Sequence, residues 1–282
     1  MIPKYQLNRL EPGLAGALRK HLGLAGFERV TSPAEAAEFL LSRQIASLWG
    51  GVELPSLYEA RGGELAPSTA PVESASLATM WVWARNLVQE NEFILLKLFR
   101  GRATFVARPL WPLLLRLSPG DSEAGGRASD LSMAARQLAL FLREHGPAST
   151  LELEQSLPRR VPMLPASLRR ALEELEERLI IYPQWVGEDA GSKRASAWAL
   201  LRPSLEKYAA PGGASAVAGL TEAVVRSAGI IDPQEAGRWF PLWKRECRNA
   251  LSALVRAGKL RTLKHSRLLV WHDLAKRALQ AA

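Results

Sequence analysis

The chain has 282 residues, 48% of them hydrophobic, and carries a formal net charge of +9 with a pI near 10.0. That length allows two or three small domains with ordinary cores, and the basic balance makes nucleic acid the leading partner, with an anionic membrane surface the weaker alternative. One cysteine, Cys247, excludes an internal disulfide, and with four histidines at no paired ligand spacing (His21, His145, His265, His272) it excludes a zinc centre.

No apolar run approaches a membrane span, and MIPKYQLNRL lacks a signal-peptide core, so a cytoplasmic, nucleoid-associated protein without metal or cofactor is expected. Residues 1–30, rich in Gly and Pro, read as an arm with one short helical pattern from Leu14 to Leu22. At Thr31-Ser32-Pro33 a helix start appears, with Ser as N-cap, Pro at the first helical position and Glu35 in the first turn; the helix should reach about Arg43. A turn-rich stretch and a Pro/Ser/Ala loop precede a second helix, Leu77 to Gln89, which holds Met80, Trp81, Val82, Trp83 and Arg85. Two β-rich runs then flank Arg100-Gly101-Arg102, a hairpin pattern that completes a first unit over residues 31–118.

Ser118 to Ser129 is the best linker in the sequence. Beyond it, over residues 130–208, come an amphipathic helix from Met133 to Glu144 stopped by Gly146-Pro147, a helix capped at Ser149-Thr150, and the longer LRRALEELEERL. The strand material IIYPQWV and AWALL follows, separated by a hydrophilic turn. That long helix is net negative, so phosphates would be repelled from it except near Arg169 and Arg170 at its start, and this unit is expected to pack the other two together.

A second linker, Ala209 to Ala214, leads into residues 215–282. There a helix containing Leu251, Leu254 and Val255 ends at Gly258, and LRTLKHSRLLVWH supplies two strands around a basic turn. From Phe240 to Ala282 there are ten Lys or Arg against two acids, Glu246 and Asp273. The three units share one element order, which describes a mainly α protein with small β-wings built as three tandem winged-helix modules.

Within that architecture Lys244, Arg245, Arg248, Lys264 and Arg267 would be presented together by recognition helix and wing, as duplex DNA contacts. Arg85, Lys97, Arg100 and Arg102 would line the first unit's helix and hairpin tip, as phosphate or groove contacts. Trp81 and Trp83 are candidates for stacking on a base; two positions apart on a helix they cannot share a face, so one is expected in the core and one exposed. Trp185, Trp198, Trp239, Trp243 and Trp271 sit in apolar runs and read as core. No catalytic triad order, phosphate-binding glycine loop or paired-histidine motif is present, which removes hydride transfer, phosphoryl transfer and metal hydrolysis.

Phe99-Arg100-Gly101-Arg102-Ala103-Thr104-Phe105-Val106 resembles the Arg-Gly strand segment of the AlkZ/YcaQ-like family, bacterial DNA glycosylases built from tandem winged helices. The spacing into Ala134-Ala135-Arg136-Gln137-Leu138 through Gly146, and on into Val224 through Trp239, is similar to that family's later modules. Val52-Glu53-Leu54-Pro55-Ser56-Leu57-Tyr58 and Met80-Trp81-Val82-Trp83 look like landmarks of an uncharacterised branch. The resemblance implies a DNA-repair protein that excises alkylated or crosslinked bases from duplex DNA. It also implies a catalytic Gln-x-Gln or Gln-x-Asp, where this sequence has Gln44-Ile45-Ala46, so Gln44 matches half of the pair. A DNA-binding protein without catalysis, transcription-related or lesion-sensing, and a winged-helix scaffold for protein partners are the alternatives.

Overall fold

Side-chain caps set where the helices begin. Ser32 Oγ accepts from the Glu35 N–H (3.2 Å), Ser132 Oγ from the Ala135 N–H (3.2 Å), and Ser149 with Glu152 forms a reciprocal capping box. The computed structural model describes residues 10–24, 29–50, 52–62, 74–90, 92–119, 130–157, 165–185, 196–210, 215–263 and 266–280.

In the first unit α2 (Pro33–Arg43) leads into β1 (Ile45–Ser47), and the short α3 (Leu57–Ala60) and α4 (Ser74–Gln89) precede the hairpin of β2 (Phe93–Lys97) and β3 (Ala103–Ala107). α5 (Trp111–Leu117) closes the unit. The second has α6 (Met133–His145), β4 (Ala148–Ser149), α7 (Thr150–Ser156), α8 (Pro165–Glu177), β5 (Ile181–Trp185), β6 (Ser196–Leu200) and α9 (Leu201–Leu205). The third has α10 (Ala216–Ala228), β7 (Ile230–Ile231), a 3₁₀ segment at Pro233–Arg238, α11 (Lys244–Arg256), β8 (Leu260–Thr262), β9 (Leu269–Trp271) and α12 (His272–Gln280). Each unit holds a three-stranded antiparallel sheet with the last of its strands in chain order in the middle: β1-β3-β2, β4-β6-β5 and β7-β9-β8. A mainly α fold with small winged-helix sheets is therefore what the chain adopts.

Two departures from the sequence expectation matter. The middle helix of the third unit is 3₁₀ rather than α: Pro233 opens it, and the apolar Trp239 and Phe240, both buried, pull the chain inward after two turns. The N-terminal stretch is not merely an arm: α1 (Pro12–His21) packs on α12, where Leu14, Leu18 and Leu22 share a core with Ile230, Val270 and Leu274. The His21 Nε2–H group lies 3.0 and 2.9 Å from the Arg226 and Ser227 carbonyls at the end of α10.

The largest core belongs to no single unit. It runs from Ile45, Phe99 and Trp111 through Tyr182 and Leu201 to Leu220, Trp239, Phe240 and Leu251. Burial of that continuous apolar surface, at about 25 cal/mol per Å², holds the three sheets in one arrangement. Of the two linkers, residues 120–129 and 211–214 lie outside the described residues. Among the described residues no helix is long and apolar enough to cross a membrane, and no three potential metal ligands gather.

Candidate nucleic-acid interface

The first unit's basic hairpin does not end in an open tip. Phe99 is fully buried, with its ring 5.9 Å from Trp239 and 6.4 Å from Phe240 of the third unit. That insertion pulls Arg100 in with it: its backbone N–H donates to the Trp239 carbonyl (2.8 Å), and its side chain is only 13% exposed. The guanidinium Nη2 donates to Glu53 and to Glu235 Oε2 (2.8 Å), so the cation is enclosed by two carboxylates from two units. Arg100 holds a left-handed backbone (φ 54°), a conformation that costs a non-glycine residue about 1 kcal/mol and that the docking enforces. The expectation that Arg100 meets phosphate is therefore corrected: it is an internal latch. Burial alone would raise the Glu235 carboxyl, but hydrogen bonding from Arg100 and the charges of Arg100 and Arg238 hold it below the usual range.

Lys97 and Trp81 are likewise drawn into packing between units. Lys97 Nζ lies 2.9 Å from Glu176 of α8, a carboxylate that is 3% exposed and whose acidity burial weakens, against the opposing pull of Lys97. Trp83 is a core residue with the Arg61 guanidinium 5.0 Å from its ring centre. Trp81 is half-buried rather than free, standing between Trp49 (5.8 Å) and Trp185 of the second unit (6.1 Å). Of the five tryptophans read as core, Trp239 and Trp243 are buried, while Trp185, Trp198 and Trp271 are half-buried. Arg102 is exposed at the turn, and half-buried Arg85 reaches the side-chain oxygen of Asn86 at 3.4 Å.

The third unit keeps its cations outside. On α11 the buried positions are Cys247, Ala250, Leu251 and Leu254, which leaves Lys244, Arg245 and Arg248 exposed together. Arg248 lies so close over Gly237 that a β-carbon there would sit 2.9 Å from its Nη2. Arg267 is 60% exposed but tethered, to buried Asp232 (2.7 Å) and to Gln234 Oε1 (2.8 Å), which fixes the second strand of the wing against the 3₁₀ segment. Lys264 lies outside the described residues.

Gln44 sits at the seam between the first and third units. It ends α2 in a left-handed conformation (φ 64°), its carbonyl accepts from the Ala107 N–H (2.8 Å), and its half-buried side chain meets Arg226 of α10. Because a guanidinium only donates, the atom facing Arg226 is Oε1, and the amide NH₂ is directed away from it. The next residue is tied to the same helix, with Ser227 Oγ donating to the Ile45 carbonyl. Ala46, at the second place of the motif, is 1% exposed in the first unit's own core. A polar side chain there would be buried, not displayed.

Residues 30–205 match the family described as AlkZ related. The chain belongs to that family. Its fold is also that of a solved structure, the Streptomyces sahachiroi DNA glycosylase AlkZ, with a TM-score of 0.59 at 12% identity, covering 96% of this chain and 72% of the other. The family match ends at residue 205, so the likeness of the third unit rests on the structural superposition. No curated protein matches the sequence. What sequence reading missed in this AlkZ-related chain is Arg226, Arg238 and Glu235: each lies in an ordinary helical pattern, and only the fold brings them to Gln44, Arg248 and Arg100.

Proposed function

We propose that this AlkZ-related protein binds duplex DNA and acts in repair as a glycosylase-like protein, hydrolysing the N-glycosidic bond of alkylated or crosslinked bases. The observation that carries the reading is the outward cationic side of α11, where Lys244, Arg245 and Arg248 stand clear of the core in the place a winged helix offers to a groove. The division into an N-terminal segment and three winged-helix modules, at about 31–118, 130–208 and 215–282, belongs to the same proposal. Damaged duplex is the partner in this reading, in the cytoplasm and on the nucleoid.

Excision requires the nucleotide to leave the stack and a polar group to meet it. Water forms the new bond to the sugar carbon as the carbon–nitrogen bond breaks, the base departs with the electron pair, and the proton released by the water passes to bulk solvent. An N7-alkylated guanine is already cationic, departs as a neutral base and needs no proton from the protein. A single amide can then suffice for a modest rate. Gln44 is the candidate: with Oε1 engaged by Arg226, its NH₂ is the part left to donate a hydrogen bond to an acceptor on the departing base.

Single-turnover incubation with duplex carrying N7-alkylguanine, read as abasic sites, tests this. Excision is expected to be slow, and Gln44→Ala to lower it by about tenfold to a hundredfold, equivalent to about 1.4 to 2.7 kcal/mol of transition-state stabilisation. Duplex affinity should hardly change. Tight binding with no excision would favour a lesion-binding protein instead, for which the specific observation is Ala46 in the core where the resemblance implies a second polar side chain.

A further inference from the structure

A shallow cleft of about 450 Å³ opens beside the start of α11, lined by Gln234, Gly237, Arg238, Pro241, Lys244 and Arg248. Its cations come from two elements. Lys244 and Arg248 are one helical turn apart and so lie on one side of α11, while Arg238 ends the 3₁₀ segment opposite. The backbone at Gly237 leaves the room in which the Arg248 guanidinium lies.

The facing acids are few and committed. Glu235, 14% exposed, is held by Arg100 at 2.8 Å and reaches Arg238 at 3.2 Å, which leaves Arg238 itself 71% exposed. Asp232 is 2% exposed and paired with Arg267. Glu246, two residues from both Lys244 and Arg248 on α11, points to the other side of the helix.

We infer that this cleft is a built site for one phosphodiester, with Arg238, Lys244 and Arg248 converging on its oxygens and Glu235 acting as the positioning residue that orients Arg238. The guanidinium fork supplies paired donors and the ammonium a point charge, a combination suited to a tetrahedral anion. Through Glu235 the site is anchored to Arg100 and so to the first unit, which fixes the register of the bound backbone relative to Gln44. The inference rests on the duplex-binding reading and adds to it a residue, Arg238, and a stoichiometry of one phosphate.

The test is duplex affinity of the full chain measured by fluorescence anisotropy across a salt series, for wild type, the single variants Arg238→Gln, Lys244→Gln and Arg248→Gln, and the triple variant. Three cations on one phosphate predict that the triple variant loses about 0.9 from the magnitude of the log–log salt slope, one phosphate's worth, while each single variant, with two cations left on that phosphate, keeps the wild-type slope. A loss near ~1.8 or ~2.7 in the triple variant would mean that the cations serve separate phosphates, and no loss would place the cleft outside the interface; either overturns the site while duplex binding stands. A wild-type chain that binds no duplex overturns both the site and the reading beneath it. Calorimetric titration with inorganic phosphate separates the sources: sub-millimolar binding abolished in the triple variant would make this a small-anion site and overturn the phosphodiester assignment. Arg238 is largely exposed, and melting temperatures equal to wild type are expected for its variant.

Discussion

α8 and α11 are equivalent helices, each of 13 residues, amphipathic and set before the wing of its unit, yet they point their charge in opposite ways. On α8 two of the four glutamates, Glu174 and Glu176, turn inward, while Glu173 and Glu177 stay exposed. Glu174 accepts from the Ser132 N–H (3.0 Å) and hydroxyl (2.7 Å), locking the start of α6, and Glu176 lies buried against Lys97 of the first unit. On α11 the cations Lys244, Arg245 and Arg248 turn outward and only Cys247, Ala250, Leu251 and Leu254 face the core. The same element thus becomes an internal scaffold in one unit and, in the function proposed above, a surface for a polyanion in another. Its role is decided by which side of the apolar stripe carries the charge.

If inward charges hold the units together and outward ones bind, the two classes should separate experimentally. The largest effect is expected at Arg100. Arg100→Ala leaves buried Glu53 without its cation and Glu235 with Arg238, and breaking such a buried pair costs about 3 to 5 kcal/mol, read as a fall in melting temperature of roughly 10 °C. Arg102→Ala, two residues away and exposed, should change stability by less than about 0.5 kcal/mol. The pH dependence has a defined sign. Glu235 is held below its ordinary 4.5, so its share of stability is present above that value and disappears as pH falls through the lower folded value. The gap between wild type and Arg100→Ala should therefore narrow in acid. Equal losses at Arg100 and Arg102 would remove the latch.

Next in size is the outward class, measured as binding. Lys244→Gln with Arg245→Gln should lower the magnitude of the duplex salt slope by about 0.9, the share of Arg245, because Arg238 and Arg248 remain on the phosphate that Lys244 meets, and should leave the melting temperature unaltered. Arg169→Gln with Arg170→Gln, the exposed pair at the start of α8, should leave the slope unchanged. A slope that responds to the α8 pair and not the α11 pair would reverse the assignment of scaffold and interface.

The sequence carried the parts of this arrangement that are local. Ser32, Ser132 and Ser149 announced their helices, the runs around Arg100-Gly101-Arg102 announced a hairpin, and the outward charge of α11 followed from its apolar spacing. What stayed hidden was pairing across distance. Arg100 looked like a basic tip because its carboxylate partners lie 47 and 135 residues away, in stretches with no charge pattern of their own. The buried Phe99 beside it was the available clue, since an apolar ring at a hairpin turn needs somewhere to go. Gln44 was legible only by partial likeness to a motif, and its contact with Arg226, 182 residues on, was not.

The smallest expected effect is also the sharpest test of what an inward charge contributes. Glu176 is buried on α8, and burial raises its carboxyl above the ordinary 4.5 even though Lys97 pulls it down. A carboxyl raised on folding contributes its stability fully below the unfolded value and loses it as pH rises through the folded one, so at neutral pH the ionised form works against the fold. Lys97 returns part of that through their contact, but its side chain is 49% exposed and so largely solvated. Glu176→Gln keeps the shape, can still accept from Lys97 and removes the buried charge. Its melting temperature at neutral pH should equal or exceed wild type, by an amount worth less than about 1 kcal/mol. That advantage should vanish as pH falls toward 4.5 and below, where Glu176 itself becomes neutral. A clear loss of stability in Glu176→Gln at neutral pH would mean that the Lys97 pair outweighs the cost of burying the carboxylate, and that α8 holds the first unit by attraction of charge rather than by its apolar face.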